Sequence, residues 1–261
     1  MIIGRKSTKI SIKLINVPIR RPMQVTFAGL EYLDPLNHRL ELQSVSELVR
    51  VSFETAQPVR SFVSYRRKRN YEGLYACVNL DLQVQFESLL ESLFLLQLDW
   101  ENTATAIAAQ PFWLHWHSDQ PISHAPDYFV RLRNGDGLVV DVRPEERIDD
   151  KARLVFEQTR RLCEEVGWRY CVYGTPQVDF INSLKVFREY SSFQLGDDDK
   201  IATLLGFAQV PTSIDQLVST AQKIDLSAGT ARGVIFRLLW ERRLTADLST
   251  AMNSATKVWT C

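Results

Sequence analysis

The sequence predicts an α/β protein built on a mixed sheet, and three observations predict it. Two apolar-alternating runs flank the turn Asn134-Gly135-Asp136-Gly137, a helical period runs from about Ile148 to Val166, and a strand-like run, Trp168 to Tyr173, follows Gly167. The hairpin strands are antiparallel. Strand, helix, strand then implies a right-handed crossover into a parallel partner.

A chain of 261 residues suits one large domain or, more naturally, two. The 31 basic and 31 acidic residues cancel, which excludes a generic polycation coating nucleic acid but permits local basic patches. Cys77, Cys163, Cys171 and Cys261 show no CxxC or metal-finger spacing. The N-terminus lacks the apolar core of a signal peptide and no run approaches membrane-spanning length, so the expectation is a reduced, cytoplasmic chain with no membrane partner. There is no GxSxG and no Gly-rich phosphate loop, which argues against a serine hydrolase and against ATP use by this chain.

Residues 1–60 read as a β-rich segment, part of the following domain or packed on it, from the alternation in Ile10–Leu14 and Leu40-Glu41-Leu42. Arg66-Arg67-Lys68-Arg69 is the densest basic run, a candidate DNA-backbone contact or simply a solvated loop; Arg131 and Arg133 are further candidate contacts. From about Val84 a helix is expected, with Phe86, Leu89, Leu90, Leu93, Leu96 and Leu98 as its apolar surface and Glu87 and Glu91 one turn apart. Ala106 to Trp116 reads as one strand carrying Gln110-Pro111-Phe112-Trp113, the Pro marking an edge, bulge or kink. The helix after the hairpin aligns Ala152, Val155, Phe156, Thr159, Leu162 and Val166, and Gly167 stops it.

Asp197-Asp198-Asp199 reads as a linker between a domain spanning 61–192 and a helical module spanning 200–261. Within the module Ser213 is placed to cap a helix to Lys223, and Ser227 or Thr230 a second through Arg232, Phe236, Leu238 and Leu239. Leu244–Leu248 and Thr256–Trp259 then read as a β-wing, giving a winged-helix order. Seven Lys or Arg against four Asp or Glu make this module only mildly basic, so protein docking competes with groove binding.

The hairpin carries the chemistry. Along it Tyr128, Val130, Leu132, Leu138, Val140 and Val142 are even-numbered and apolar. Asp127, Arg131, Arg133, Asp141 and Arg143 are odd-numbered and polar, with Phe129 and Val139 as exceptions. If even faces even, the loop has three or five residues; a three-residue loop places Asp127 almost opposite Arg143 with Asp141 one pleat away. Two carboxylates and a cation on one face are what metal-assisted phosphodiester hydrolysis needs. Asp127 and Asp141 suit a hard divalent ion, Glu87 completes the set from the helix with Glu91 as its alternative, and Arg143 can hold the scissile phosphate or the water. Arg stays protonated and cannot act as a general base. The bland alternative is a solvated polar face with an exposed ion pair. His115, His117 and His124 with Asp127 form a conceivable zinc set, against which Trp113 and Trp116 favour packing.

The layout Pro126-Asp127, hairpin, Asp141-Val142-Arg143 is similar to that of PD-(D/E)XK nucleases, with Arg where the pattern has Lys. With Phe86-Glu87-Ser88-x-x-Glu91, Gln110-Pro111-Phe112-Trp113-Leu114-His115-Trp116, His124-Ala125-Pro126-Asp127-Tyr128-Phe129 and Val140-Asp141-Val142-Arg143-Pro144, the stretch from about Ser61 to Gly174 resembles the TnsA-like endonuclease subunit of heteromeric transposases. The winged-helix-like module extends the likeness to the C-terminus, while the first sixty residues carry little of it. The resemblance implies a restriction-endonuclease-like catalytic domain using Mg²⁺, or Mn²⁺ in its place, in the bacterial cytoplasm. It implies nicking of donor DNA at the 5′ ends of a transposon beside a DDE-type transposase, and an AAA+ regulator ATPase docked through 200–261. Residue by residue, Glu87 matches the helix acid, Asp127 and Asp141 the strand acids, Arg143 the Lys position, and Gln110 an accessory polar position.

Overall fold

The computed structural model describes residues 25–60, 71–118 and 121–261. The strand read at Ile10–Leu14 and the basic run Arg66–Arg69 lie outside the described residues. The chain divides into two units, Met1–Thr175 and Pro176–Cys261. The described residues form a mixed α/β structure with several sheets and seven α-helices, none of them long and apolar enough to cross a membrane.

In the first unit, β1 (Thr26–Leu33) and β2 (Arg39–Leu42) form a hairpin, closed where Asp34 Oδ1 accepts the N–H groups of Leu36 and His38, each at 2.8 Å. A one-turn helix α1 (Val45–Leu48) follows under a Ser44–Glu47 capping box. Strands β3 (Gly73–Cys77) and β4 (Leu82–Phe86) pair as a second hairpin. Helix α2 (Leu89–Glu101) therefore starts later than expected. Leu82-Gln83-Val84-Gln85-Phe86 alternates at period two and pairs with β3, and the helix begins only where Ser88 Oγ accepts the Glu91 N–H. Glu87 thus lies in the connection ahead of the helix, not on it. Buried Asp99 ties α2 to the β3–β4 turn by accepting the N–H groups of Val78 and Asn79, both at 2.9 Å.

The stretch expected as one strand is two: β5 (Ala104–Ala109) and β6 (Phe112–His117). Gln110, at φ 44°, and Pro111 turn the chain from one sheet into another, and the apolar alternation resumes on the far side. Next come β7 (Ile122–His124), β8 (Tyr128–Leu132) and β9 (Gly137–Val142). Helix α3 (Asp150–Val166) is capped by Asp149 and ended by Gly167 at φ 82°, and β10 (Arg169–Tyr173) follows. One sheet has the order β10-β9-β8-β5, with β10 parallel to β9 as the crossover predicts and the other pairs antiparallel. The other has the order β2-β1-β6-β7 and is antiparallel, so residues before 60 supply half its strands.

The β10-β9-β8-β5 sheet is buried on both faces. Tyr128, Val130, Leu132, Leu138 and Val140 pack with Phe94, Leu95 and Leu98 of α2. Phe129 and Val139, the exceptions to odd-numbered polarity, point into a second core with Leu114 and Trp116 of β6 and Leu162 and Cys163 of α3. Phe53 sits in that core with ring centroids 4.9 Å from Phe112 and 5.5 Å from Trp168. Gly137 is required by packing: a Cβ there would stand 2.8 Å from both Phe129 and Trp168.

The second unit holds α4 (Val178–Glu189), α5 (Asp198–Phe207), β11 (Thr212–Ser213), α6 (Ile214–Lys223), α7 (Ala228–Trp240), β12 (Leu244–Ala246) and β13 (Lys257–Thr260). Its three strands form a sheet of order β11-β13-β12. Ser213 and Ser227 cap α6 and α7 as expected. Two expectations are corrected. Asp197-Asp198-Asp199 is a helix start, since Asp197 Oδ1 accepts the N–H groups of Asp199 and Lys200. The division falls at Thr175/Pro176 rather than between 192 and 200, because α4 belongs with α7: Phe187 and Tyr190 pack on Phe236 with centroids 6.2 and 5.1 Å away.

Candidate active site

The β8–β9 register decides which side chains meet. Tyr128 pairs with Val140, Phe129 with Val139, Val130 with Leu138 and Arg131 with Gly137. Even does face even, and beyond the last ladder pair Leu132 N–H donates to Asp136 O at 2.9 Å, which leaves a three-residue loop, Arg133–Gly135, with Gly135 in the left-handed region at φ 92°. Carried one step further, the register sets Asp127 opposite Asp141, not opposite Arg143 as expected: that pairing would centre the hairpin on Gly135, and it is centred on Asn134. Asp127 is held at the start of β8 by its side chain, which accepts the Val142 N–H at Oδ2 (2.6 Å), and by its carbonyl, which accepts the Gln110 N–H (2.8 Å).

An open cleft of about 700 Å³ lies over this pair and is lined by Glu87, Glu91, Asp127, Asp141 and Arg143, with Arg60, Trp113, His124, Arg147 and Phe156. Glu91 is buried, and its carboxylate accepts from the Glu87 N–H (2.8 Å), Ser88 Oγ (2.7 Å) and the Tyr128 hydroxyl (3.3 Å). The helical acid of the site is therefore Glu91, while Glu87 approaches from the β4–α2 connection and stands 3.9 Å from Arg60.

Asp141 is buried and both its oxygens are occupied. The His124 ring at Nε2 meets Oδ1 at 2.8 Å, and the Tyr170 hydroxyl donates to Oδ2 at 2.5 Å. His124 in turn sits edge-on to Phe156, 6.3 Å away. Neither Tyr170 nor Arg60 has a local signal. Tyr170 reaches Asp141 because β10 runs parallel to β9, two residues out of step. Arg60 reaches the cleft because Val59 N–H donates to Gln110 O at 2.9 Å. One pair is made by strand order and the other by a backbone bond between two connecting segments.

The remaining expected residues are placed as follows. Arg143 lines the cleft, its N–H donating to Tyr173 O and its Nε to Arg147 O, both at 2.9 Å. Gln110 is buried and does not line the cleft; its backbone, not its side chain, is what the site uses. Arg131 is no free DNA contact, since it grips Glu54 with Nε and Nη2 (3.1 and 2.9 Å). Arg133 likewise donates to the backbone oxygen and side chain of Asn102. The three histidines do not converge: His115 pairs with Ser123, His124 with Asp141, and His117 is exposed.

The electrostatics follow from crowding of like charges. Burial, with the Asp141 and Glu91 carboxylates adding to it, pushes the Asp127 carboxyl well above the usual carboxylate range, against the pull of the Val142 N–H and Arg60. Burial raises Glu91 too, with Glu87 adding repulsion, while the Glu87 N–H and the Ser88 and Tyr128 hydroxyls pull it down. Tyr170 is raised by burial and by its carboxylate partner. Such a site favours a proton or a cation beside Asp127. Among the described residues no group of three or more His, Cys, Asp or Glu side chains is arranged to enclose a metal ion. The facing carboxylates nevertheless fit Mg²⁺, which commonly takes one or two protein oxygens and keeps its waters. No protein-family model matches the chain, and no curated protein does.

Proposed function

We propose that this chain is a metal-dependent DNA endonuclease subunit of a heteromeric transposase, hydrolysing the 5′ strands at transposon ends. One observation carries the chemistry: Asp127 and Asp141 oppose each other across a hairpin, beneath a cleft that also holds Glu87, Glu91 and Arg143. The likeness of the ordered motifs to TnsA-like subunits supplies the biological setting, including the DDE-type transposase and the AAA+ regulator as partners. The sheet flanked by α2 and α3 is compatible with a restriction-endonuclease-like domain, and the helices α6 and α7 with the β11-β13-β12 sheet are compatible with a winged helix.

Asp127 and Asp141 would hold the Mg²⁺, with Glu91 or Glu87 reaching it directly or through water. Held there, such an ion would supply Lewis acidity, making water a better nucleophile and offsetting charge on the phosphodiester. The chain's own side chains do the rest. Tyr170 and His124 fix the plane of Asp141, the Val142 N–H fixes Asp127, and Arg143 offers the N–H groups not bonded to Arg147 O to a phosphodiester. The open cleft admits a polymer rather than enclosing a small molecule.

The test is to incubate the protein with its transposase, transposon-end DNA and Mg²⁺. We expect 5′-strand cuts that vanish in Asp127→Ala and Asp141→Ala; mutants that cut as well as the parent would place the site elsewhere. A second reading, an assembly scaffold that no longer cuts, is favoured by the engagement of both Asp141 oxygens and by Arg at position 143. It predicts complex formation without cuts. A stand-alone restriction-type enzyme would instead cut with no transposase present.

A further inference from the structure

We infer that Arg60 is a second phosphate-binding cation of this cleft, recognising a nucleic-acid phosphodiester beside Asp127, a role that rests on the nuclease reading for its substrate. The position is built rather than incidental. Val59 N–H donates to Gln110 O (2.9 Å), and Gln110 N–H donates to Asp127 O (2.8 Å), so two backbone bonds connect the residue before Arg60 to the first strand acid. The guanidinium carbon stands 5.8 Å from the centroid of the Trp113 ring, a contact that restricts its plane. Nη2 lies 3.9 Å from Glu87, beyond hydrogen-bond distance, and the buried Nε has no partner among the described residues.

A half-exposed guanidinium, oriented by an aromatic face and short of acceptors among the described residues, is prepared for an anion. Its planar fork matches two phosphate oxygens, which an ammonium cannot do. It is also close enough to act on Asp127, whose proton affinity it lowers. A phosphate bound at Arg60 therefore lies beside the carboxylates. Arg143 has committed Nε to Arg147 O and lines the same cleft as Arg60, so its remaining N–H groups add a second donor set to that cleft. The alternative is that Arg60 only balances the charge of Glu87.

Binding and cutting are measured separately, on the full chain. Fluorescein-labelled duplex DNA is titrated with protein in Ca²⁺ over a range of KCl. Arg60→Ala should weaken binding about tenfold and lower the slope of log affinity against log salt by about one. Arg60→Lys should restore the slope but only part of the affinity. A parent that does not bind duplex, or an Arg60→Ala protein with unchanged affinity and slope, overturns the assignment. If Arg60→Ala fails to fold in a thermal melt, Arg60→Lys and Arg60→Gln decide it: equal slopes overturn the role and unequal slopes support it. Cutting in Mg²⁺ keeps the two readings apart. A parent that never cuts but binds through Arg60 loses the nuclease reading alone. A parent that cuts, with binding indifferent to Arg60, loses this one alone.

Discussion

Asp127 and Asp141 oppose each other across the β8–β9 hairpin, yet they are held differently. Asp141 has both oxygens bonded, to His124 and Tyr170, whereas Asp127 receives the Val142 N–H at Oδ2. The pair thus combines one carboxylate fixed by side chains with one fixed by backbone.

Tyr170→Phe removes the 2.5 Å donor to Asp141 and leaves a buried oxygen short of a partner. We expect a loss of about 1–3 kcal/mol in urea unfolding. The Mg²⁺ concentration needed for half-maximal cleavage should rise about tenfold, as for other groups that orient metal ligands. Unchanged Mg²⁺ dependence would show that Asp141 needs no such holder.

Crowding makes the metal-free protein pH-dependent in a definite direction. The folded-state pKa of Asp127 is raised, so its contribution to stability is fully present below the ordinary carboxylate value, about 4, and is lost as pH rises through the raised value. Glu91 shifts the same way. In thermal melts without divalent ions, Asp127→Asn should therefore be more stable than the parent at about pH 8, with the gain vanishing near pH 4. A gain that grows on acidification would contradict the repulsion described above.

Arg143 commits its Nε to Arg147 O and keeps its terminal N–H groups for the cleft. Arg143→Lys retains a cation at the position, and on the proposed function it should cut within about tenfold of the parent. Arg143→Ala should lose about a hundredfold in kcat/KM. Loss in the Lys variant as deep as in Ala would mean that the fork itself is required.

Gly137→Ala tests the packing rather than the chemistry. Its Cβ would meet Phe129 and Trp168 at 2.8 Å, both in a core where Phe53 and Phe112 leave little room to yield. Overpacking of this kind costs about 1–3 kcal/mol, read as a lower urea midpoint at unchanged slope.

The sequence made α3, its Gly167 stop, the parallel return into β10 and the caps at Ser213 and Ser227 legible, because each is set by local periodicity or by one capping side chain. Parity along β8 and β9 was legible too. Register was not, since hairpins centred on Asn134 and on Gly135 satisfy the same parity and only the observed pairing tells them apart. The Gln110-Pro111 corner was hidden because apolar alternation continues through it while the chain changes sheets. At the site, Asp127, Asp141 and Arg143 could be found from spacing. Glu91 took precedence over Glu87 on the helix because Ser88 sets where the helix begins. The bond from His124 to Asp141 has no signature in spacing, and Arg60 and Tyr170 reach the cleft through pairings of strands and segments distant in sequence.

Strand β1 lies between β2 and β6, and it comes from the part of the chain that shares least with any nuclease motif. Trimming the protein at residue 61 would turn β6 from an interior strand into an edge. Its apolar residues Phe112, Leu114 and Trp116, all buried in the intact protein, would then border a row of open backbone donors and acceptors. Such a fragment, although it keeps every acid of the cleft, should self-associate; the first strands act as a built-in guard against aggregation.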